Sequence, residues 1–269
     1  TQKGAVSNTA GMSAATVLFY DMPMTNPQTA IHFETLEYKD EGTACRGTIV
    51  HDIHAPGRLP GVLLCPTFWG NDALARRKAM QLARLGCTVL VMDPYGEGRI
   101  AADQAEATRL MNELLADRAV IRRRAAAALK ALRYHRRADG SHLAAVGYCF
   151  GGLVALELAR AGSDLRGVVS FHGLLDNGGA KPAAELRTRV RVLHGADDPL
   201  VPPAQVASFI EEMRAAKADW QMVHYGGAVH AFTNPDAGSD AATGLAYNEP
   251  ADQRSWKLMA SFLEECFKG

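Results

Sequence analysis

The sequence predicts an α/β fold: a mostly parallel central sheet of about eight strands, with helices on both faces. Three observations carry that expectation. From about residue 60 onward, short continuous apolar runs alternate with amphipathic helical patterns, the order that gives parallel strands joined by helical crossovers. Each run is bounded by Gly, Pro or Asp and lacks polar alternation, as strands buried on both faces do. The chain has 269 residues, 48% of them hydrophobic, which is enough for one large domain with a full core.

In chain order, residues Thr1 to about Ala15 are small and polar and lack the basic n-region of a signal peptide. Residues 1–30 are expected to be an N-terminal extension, of which the first 11 or so are suspect as native sequence, and 31–269 a single domain. Phe33–Tyr38 and Arg46–His51 flank Lys39-Asp40-Glu41-Gly42, which predicts an antiparallel pair. Val62–Cys65, Thr88–Met92, Leu143–Val146, Val168–Phe171, Val190–Leu193 and Met222–Tyr225 read as the buried strands. The helices between them are expected at Asp72–Leu85, Ala101–His135 with a break, Gly151–Ala161, Pro203–Ala216 and Asp252–Phe267. For the first, Asn71 is the expected N-cap and Gly86 the stop. No internal repeat or Pro/Ser-rich linker divides the chain.

Composition narrows the function classes. A formal net charge of zero argues against a nucleic-acid or anionic-membrane partner. The helix carrying Arg118, Arg122, Arg123, Arg124, Lys130, Arg133, Arg136 and Arg137 is very basic, but alanines between the charges make it read as the solvated face of a sheet-covering helix. No apolar run approaches the roughly 20 residues of a membrane helix. Five cysteines, an odd number without C-x-x-C spacing, suggest reduced thiols and a cytoplasmic location. No His/Cys/Asp cluster has metal-ligand spacing, so neither a metal nor a cofactor is expected.

Gly147-Tyr148-Cys149-Phe150-Gly151-Gly152 follows one apolar run and leads into an amphipathic one. A strand ending in G-x-C-x-G that turns straight into a helix describes a nucleophile elbow with cysteine as nucleophile. The glycines leave room for a tight turn, and the helix N-terminus favours a thiolate. An acid and then a histidine should follow in the chain. Val190–Leu193 runs into His194-Gly195-Ala196-Asp197-Asp198-Pro199, where Asp198 is the candidate acid and Asp197 its solvated neighbour. The next strand ends in Gly226-Gly227-Ala228-Val229-His230-Ala231-Phe232, and His230 alone among nine histidines combines the right order with a loop position. His172, His194 and His224 read as hydrogen-bonded structural histidines. His51 and His54 come too early, and His32, His135 and His142 fall in peripheral or helix-end segments.

These motifs, with Pro60-Gly61-Val62-Leu63-Leu64-Cys65-Pro66-Thr67-Phe68-Trp69-Gly70, resemble the dienelactone hydrolase family of the α/β-hydrolase superfamily from about Phe33 to the C-terminus. The resemblance implies a Cys149, Asp198 and His230 triad, with an oxyanion hole formed by the backbone N–H groups of Phe68 and Phe150. It implies hydrolysis of a small-molecule ester or lactone by water through a Cys149 thioester, by a monomer or homodimer. The alternatives are dienelactone (carboxymethylenebutenolide) hydrolysis proper, or a non-catalytic binding protein on the same fold. Thr67 stands where the best-characterised members carry a glutamate, and Asn234, four residues after the histidine, stands where a substrate-binding arginine is expected. Thr67, Trp69, Tyr95, Arg99 and Asn234 are the substrate-pocket candidates.

Overall fold

The computed structural model describes residues 30–180 and 184–268; of the expected extension, residues 1–29 lie outside the described residues. Eight strands form one sheet: β1 (Ile31–Asp40), β2 (Thr43–Asp52), β3 (Leu59–Cys65), β4 (Thr88–Val91), β5 (Ala138–Tyr148), β6 (Gly167–Phe171), β7 (Arg189–Gly195) and β8 (Trp220–Tyr225). Their spatial order is β1-β2-β4-β3-β5-β6-β7-β8. β1 and β2 form an antiparallel hairpin, β2 runs antiparallel to β4, and every later pairing is parallel. The helices are α1 (Ala73–Arg84), α2 (Gln104–Ala116), α3 (Arg118–Arg133), α4 (Phe150–Arg160), α5 (Pro203–Ala215) and α6 (Glu249–Lys268).

Alternation along the strands divides the core into two layers. Leu63, Cys65, Leu90, Ala145, Val168, Val190 and Val192 face one side, which α3, α4 and α5 cover. Val62, Leu64, Val89, Val91, Ala144, Val146 and Val169 face the other, under α1 and α6. Helix α4 is the most deeply set: all residues from Phe150 to Ala159 are buried. The parallel strands deliver their C-terminal ends to one edge, where open α/β sheets gather their binding groups.

Some boundaries differ from expectation for local reasons. Asp72, not Asn71, caps α1: Asp72 is extended and its Oδ1 accepts the Ala75 N–H at 2.9 Å, the three-residue reach an N-cap needs. Asn71 instead turns inward and donates to Thr48 Oγ1 at 2.9 Å. The expected break in the long helix falls at Asp117, whose N–H closes α2 and whose carboxylate accepts the Ala119 N–H at 3.0 Å to open α3. α6 starts three residues earlier than the Asp252 expected, because Asn248 Oδ1 accepts the Ala251 N–H.

The basic face of α3 is only in part the solvated face that its composition suggested: Arg123 and Lys130 are exposed, but several arginines are paired. Arg123 and Arg124 meet Asp40 at 2.7 and 3.1 Å, Arg122 meets Glu157 at 2.6 Å, and Arg118 meets Asp176 at 2.7 Å. The carboxylates of Asp40 and Glu157 are 1% and 0% exposed, so they require these cations. Arg160 extends the network from Glu157 to Glu212 on α5 and donates to the Leu175 and Asp176 carbonyls. Two buried carboxylates thus fasten α3 to the hairpin and to α4.

Asp40→Ala should therefore strand the buried Arg124 guanidinium, the Arg123 side chain being free to reach water. A loss of about 3 kcal/mol in denaturant unfolding is expected. A loss well under about 1 kcal/mol would show that Arg124 also escapes to solvent.

Candidate active site

Cys149 sits between β5 and α4 with φ 55° and ψ −120°, a left-handed conformation that costs a non-glycine residue about 1–3 kcal/mol. Its neighbours explain why the turn can close. A Cβ on Gly147 would lie 1.9 Å from the Gly151 carbonyl oxygen, and one on Gly151 would lie 2.0 Å from that of Cys65. The Cys149 N–H donates to the Phe171 carbonyl of β6 at 3.0 Å, which locks the strained residue into the sheet edge. The thiol therefore projects from the N-terminus of α4. Cys149 is the one partly exposed cysteine; Cys45, Cys65, Cys87 and Cys266 are buried. Burial pushes the Cys45 and Cys266 thiols up to about 11 and that of Cys87 to about 12.

Asp198 and His230 arrive from the two loops that follow β7 and β8. Asp198 Oδ1 accepts the Leu200 N–H at 2.9 Å, leaving Oδ2 to bind His230 Nδ1 at 2.8 Å. The His230 backbone is held in register by the Gly244 carbonyl, by the Ala246 N–H and by an isolated bridge to Leu245. Its Nε2 completes no hydrogen bond among the described residues. Burial opposes a charge on this ring, yet the charge of the nearby Cys149 and the bond to Asp198 prevail and raise it to about 10. The structure thus brings Cys149, Asp198 and His230 together, with the proton favoured on His230. Asp197 is exposed and accepts the Gly227 N–H, as its reading as the solvated neighbour implies.

Of the three histidines expected to be hydrogen-bonded, only His172 has a side-chain bond among the described residues, to Thr233 Oγ1 at 2.9 Å. His194 and His224 instead pack edge to face at 5.1 Å, a contact that needs no hydrogen-bond partner.

The loop after β3 supplies the second N–H expectation. The Thr67 carbonyl accepts the Gly70 N–H at 3.1 Å and Thr67 Oγ1 accepts the Trp69 N–H at 3.4 Å. The Phe68 carbonyl accepts the Tyr95 hydroxyl at 2.6 Å. With those groups engaged, the N–H groups of Phe68 and Phe150 donate to nothing else among the described residues. Phe68 and Trp69 pack at 5.2 Å and, with Tyr95, Ala101 and Leu110, form an apolar wall. Tyr95 lies close enough to Cys149 for the thiolate charge to help burial raise its phenol. Asn234 spends its side chain capping the turn 235–237 through the Asp236 N–H, and Arg99 is exposed with no ion pair among the described residues.

Sequence reasoning missed Asp93, whose Oδ1 accepts the Tyr95 and Gly96 N–H groups and whose Oδ2 accepts those of Arg46 and Gly98. Its signal was Asp93-Pro94-Tyr95-Gly96-Glu97-Gly98, a turn-forming string after an apolar run. Among the described residues no group of three His, Cys, Asp or Glu could hold a metal, and no helix is long and apolar enough to cross a membrane. A partly exposed thiol at a helix N-terminus, a buried carboxylate–imidazole pair and two free N–H groups together suit acyl transfer.

Two outcomes follow from this electrostatic arrangement. Limiting iodoacetamide should label Cys149 before the four buried thiols, as peptide mass mapping would show; equal labelling would remove the case for an activated sulfur. His230, lifted above its ordinary 6.5 to about 10, holds its proton more tightly folded than unfolded. Its contribution to stability is therefore complete below about 6.5 and is lost as the pH climbs through 10. Thermal midpoints should fall between pH 7 and 10, and fall less in Cys149→Ser, which lacks the thiolate.

Known proteins resemble this chain over most of its length. The dienelactone hydrolase family profile matches residues 46–267. An uncharacterised protein of Caenorhabditis elegans is 40% identical over 143 residues, covering 52% of this chain and 90% of its own. A Bradyrhizobium protein named "Probable 2-oxo-3-(5-oxofuran-2-ylidene)propanoate lactonase" is 29% identical, covering 75% of this chain and 86% of its own. A solved structure titled as a dienelactone hydrolase-like promiscuous phosphotriesterase from metagenomic libraries is 41% identical, with a TM-score of 0.84 over 88% of this chain and 99% of its own. With the sheet order, the strained turn and a family match spanning most of its length, this chain belongs to the dienelactone hydrolase family and is a hydrolase of the α/β-hydrolase fold.

Proposed function

We propose that the protein hydrolyses neutral esters or lactones through a thioester on Cys149. The observation that carries this reading is His230, bonded through Nδ1 to Asp198 and raised to about 10 by the neighbouring Cys149 charge. In the first half-reaction the thiolate attacks the substrate carbonyl. The oxyanion that forms is met by the Phe68 and Phe150 N–H groups. As the tetrahedral intermediate collapses, the carbonyl carbon–oxygen bond to the alcohol portion breaks and His230 gives its Nε2 proton to that oxygen. His230, now neutral, takes a proton from water. The hydroxide attacks the thioester, and the acid departs as the thiolate re-forms beside the imidazolium. Asp198 fixes the tautomer and stabilises the charged ring without itself taking the proton.

The preference for neutral substrates rests on the pocket wall. Phe68, Trp69 and Tyr95 are apolar, Asn234 is committed to its own turn, and Arg99 points to solvent exposure instead of an ion pair. A substrate carboxylate would be desolvated there without a cation, at a cost of several kcal/mol. The metagenomic relative is named for phosphotriesters, a neutral class, whereas the lactone in the Bradyrhizobium relative's name bears a propanoate.

Activity on p-nitrophenyl esters and lactones should vanish as covalent turnover in Cys149→Ala and fall at least about 10³-fold in His230→Ala. Asp198→Ala should cost less than either. Near-wild-type turnover by Cys149→Ala would sink the thioester mechanism. For specificity, a carboxylated lactone should be turned over at least about 10-fold less efficiently in kcat/KM than its methyl ester. A strong preference for the free acid, abolished by Arg99→Ala, would instead show that Arg99 folds into the site.

A further inference from the structure

His172 is the buried titratable group that the proposed mechanism leaves unused, and its surroundings give it a role. It is the first residue after β6 and holds φ 37°, again in the left-handed region, while 2% exposed. Its N–H donates to the Leu193 carbonyl of β7 at 2.8 Å. The next residue is packed against the elbow helix: a Cβ on Gly173 would lie 2.9 Å from Gly152 Cα. The backbone is thus fixed between the strand that precedes Asp198 and the helix that follows Cys149. From that anchor the ring reaches the segment carrying His230. Nε2 lies 2.9 Å from Thr233 Oγ1, three residues beyond His230, and Nδ1 is buried without a partner. The ring meets those of His230 and Phe232 edge-on, each with centroids 5.1 Å apart, and stands 6.1 Å from Tyr148.

We propose that His172 is a positioning residue for the hydrolysis, the fixed ring edge that holds His230 in the rotamer joining Asp198 to Cys149. The inference rests on the reading of His230 as the proton carrier. A freely turning imidazole would spend only part of its time aligned with both partners, and misplacement of about 1 Å at a reacting group can cost about 10²-fold in rate. The Thr233 bond makes the edge specific: it ties ring and loop together, so neither can shift without the other. The charges around the site agree with this division of labour. Burial first, and then repulsion from His230 and Lys78, holds His172 well below the ordinary imidazole range. It stays uncharged while its neighbour carries the proton, which avoids two imidazolium ions in edge contact.

Removing the ring tests this directly. His172→Ala should lower kcat at least about 10-fold with KM changed by less than about 3-fold. His172→Phe restores the ring edge and should recover most of kcat. Thr233→Val removes only the hydrogen bond and should lower kcat by an intermediate factor. Proton NMR of the His230 Nδ1–H on Asp198 gives a second readout that needs no turnover. The downfield signal should broaden or disappear in His172→Ala and persist in His172→Phe. A destabilised His172→Ala that keeps wild-type kcat and an unchanged signal would overturn the proposal. So would wild-type values of both in Thr233→Val together with no recovery by His172→Phe, which decides the question even where His172→Ala fails to fold. Turnover surviving in Cys149→Ala would fault the thioester reading alone, because the NMR comparison stands apart from it.

Discussion

The close approach of α4 to the ends of β3 and β6 is the constraint on which the rest of the molecule depends. Gly151 lies so near the Cys65 carbonyl, and Gly152 so near Gly173, that no side chain fits at either position. That contact accompanies the left-handed turn at Cys149 and sets the first turn of α4 against the start of the loop after β3, at the Pro66 carbonyl. The strain in such a turn amounts to about 1–3 kcal/mol. An entire helix with ten consecutive buried residues opposes its release, because unwinding the turn would expose that apolar surface.

Charge is handled in two distinct ways inside this fold. At the sheet's C-terminal edge, Asp198 has one oxygen bound to a backbone N–H and the other to His230, leaving it little freedom to rotate. Away from that edge, Asp40, Glu157 and Glu212 are neutralised by arginines from α3 and α4. The second group holds elements together; removing a single partner there leaves an uncompensated buried charge. The first orients one ring. The second group reaches toward the loop after β6, where Arg160 holds the Leu175 and Asp176 carbonyls.

Legibility in the sequence tracked sequence distance. The elbow was readable because nucleophile, glycines, strand and helix lie within a few residues, and the Asp198 and His230 loops because each directly follows an apolar strand. Arg123 and Arg124 were misread because Asp40, their partner, is over eighty residues away, and an arginine flanked by alanines looks the same whether it faces water or a buried carboxylate. The grip of Tyr95 on the Phe68 carbonyl spans 27 residues and leaves no local trace. His172 was set aside as a candidate base, and its contact with His230 joins loops after two different strands. The cap at Asp72 was missed by one position, since Asn and Asp are equally good caps and only backbone conformation chooses between adjacent ones.

The four N–H groups gathered by Asp93 bear on how this enzyme selects what it cleaves. One carboxylate saturates the donors of Tyr95, Gly96 and Gly98 and reaches across to Arg46 on β2. The segment that presents the Tyr95 ring is therefore frozen before anything binds. A wall of that kind has no ordering entropy left to lose on association. It also has little freedom to mould itself around a guest of another shape.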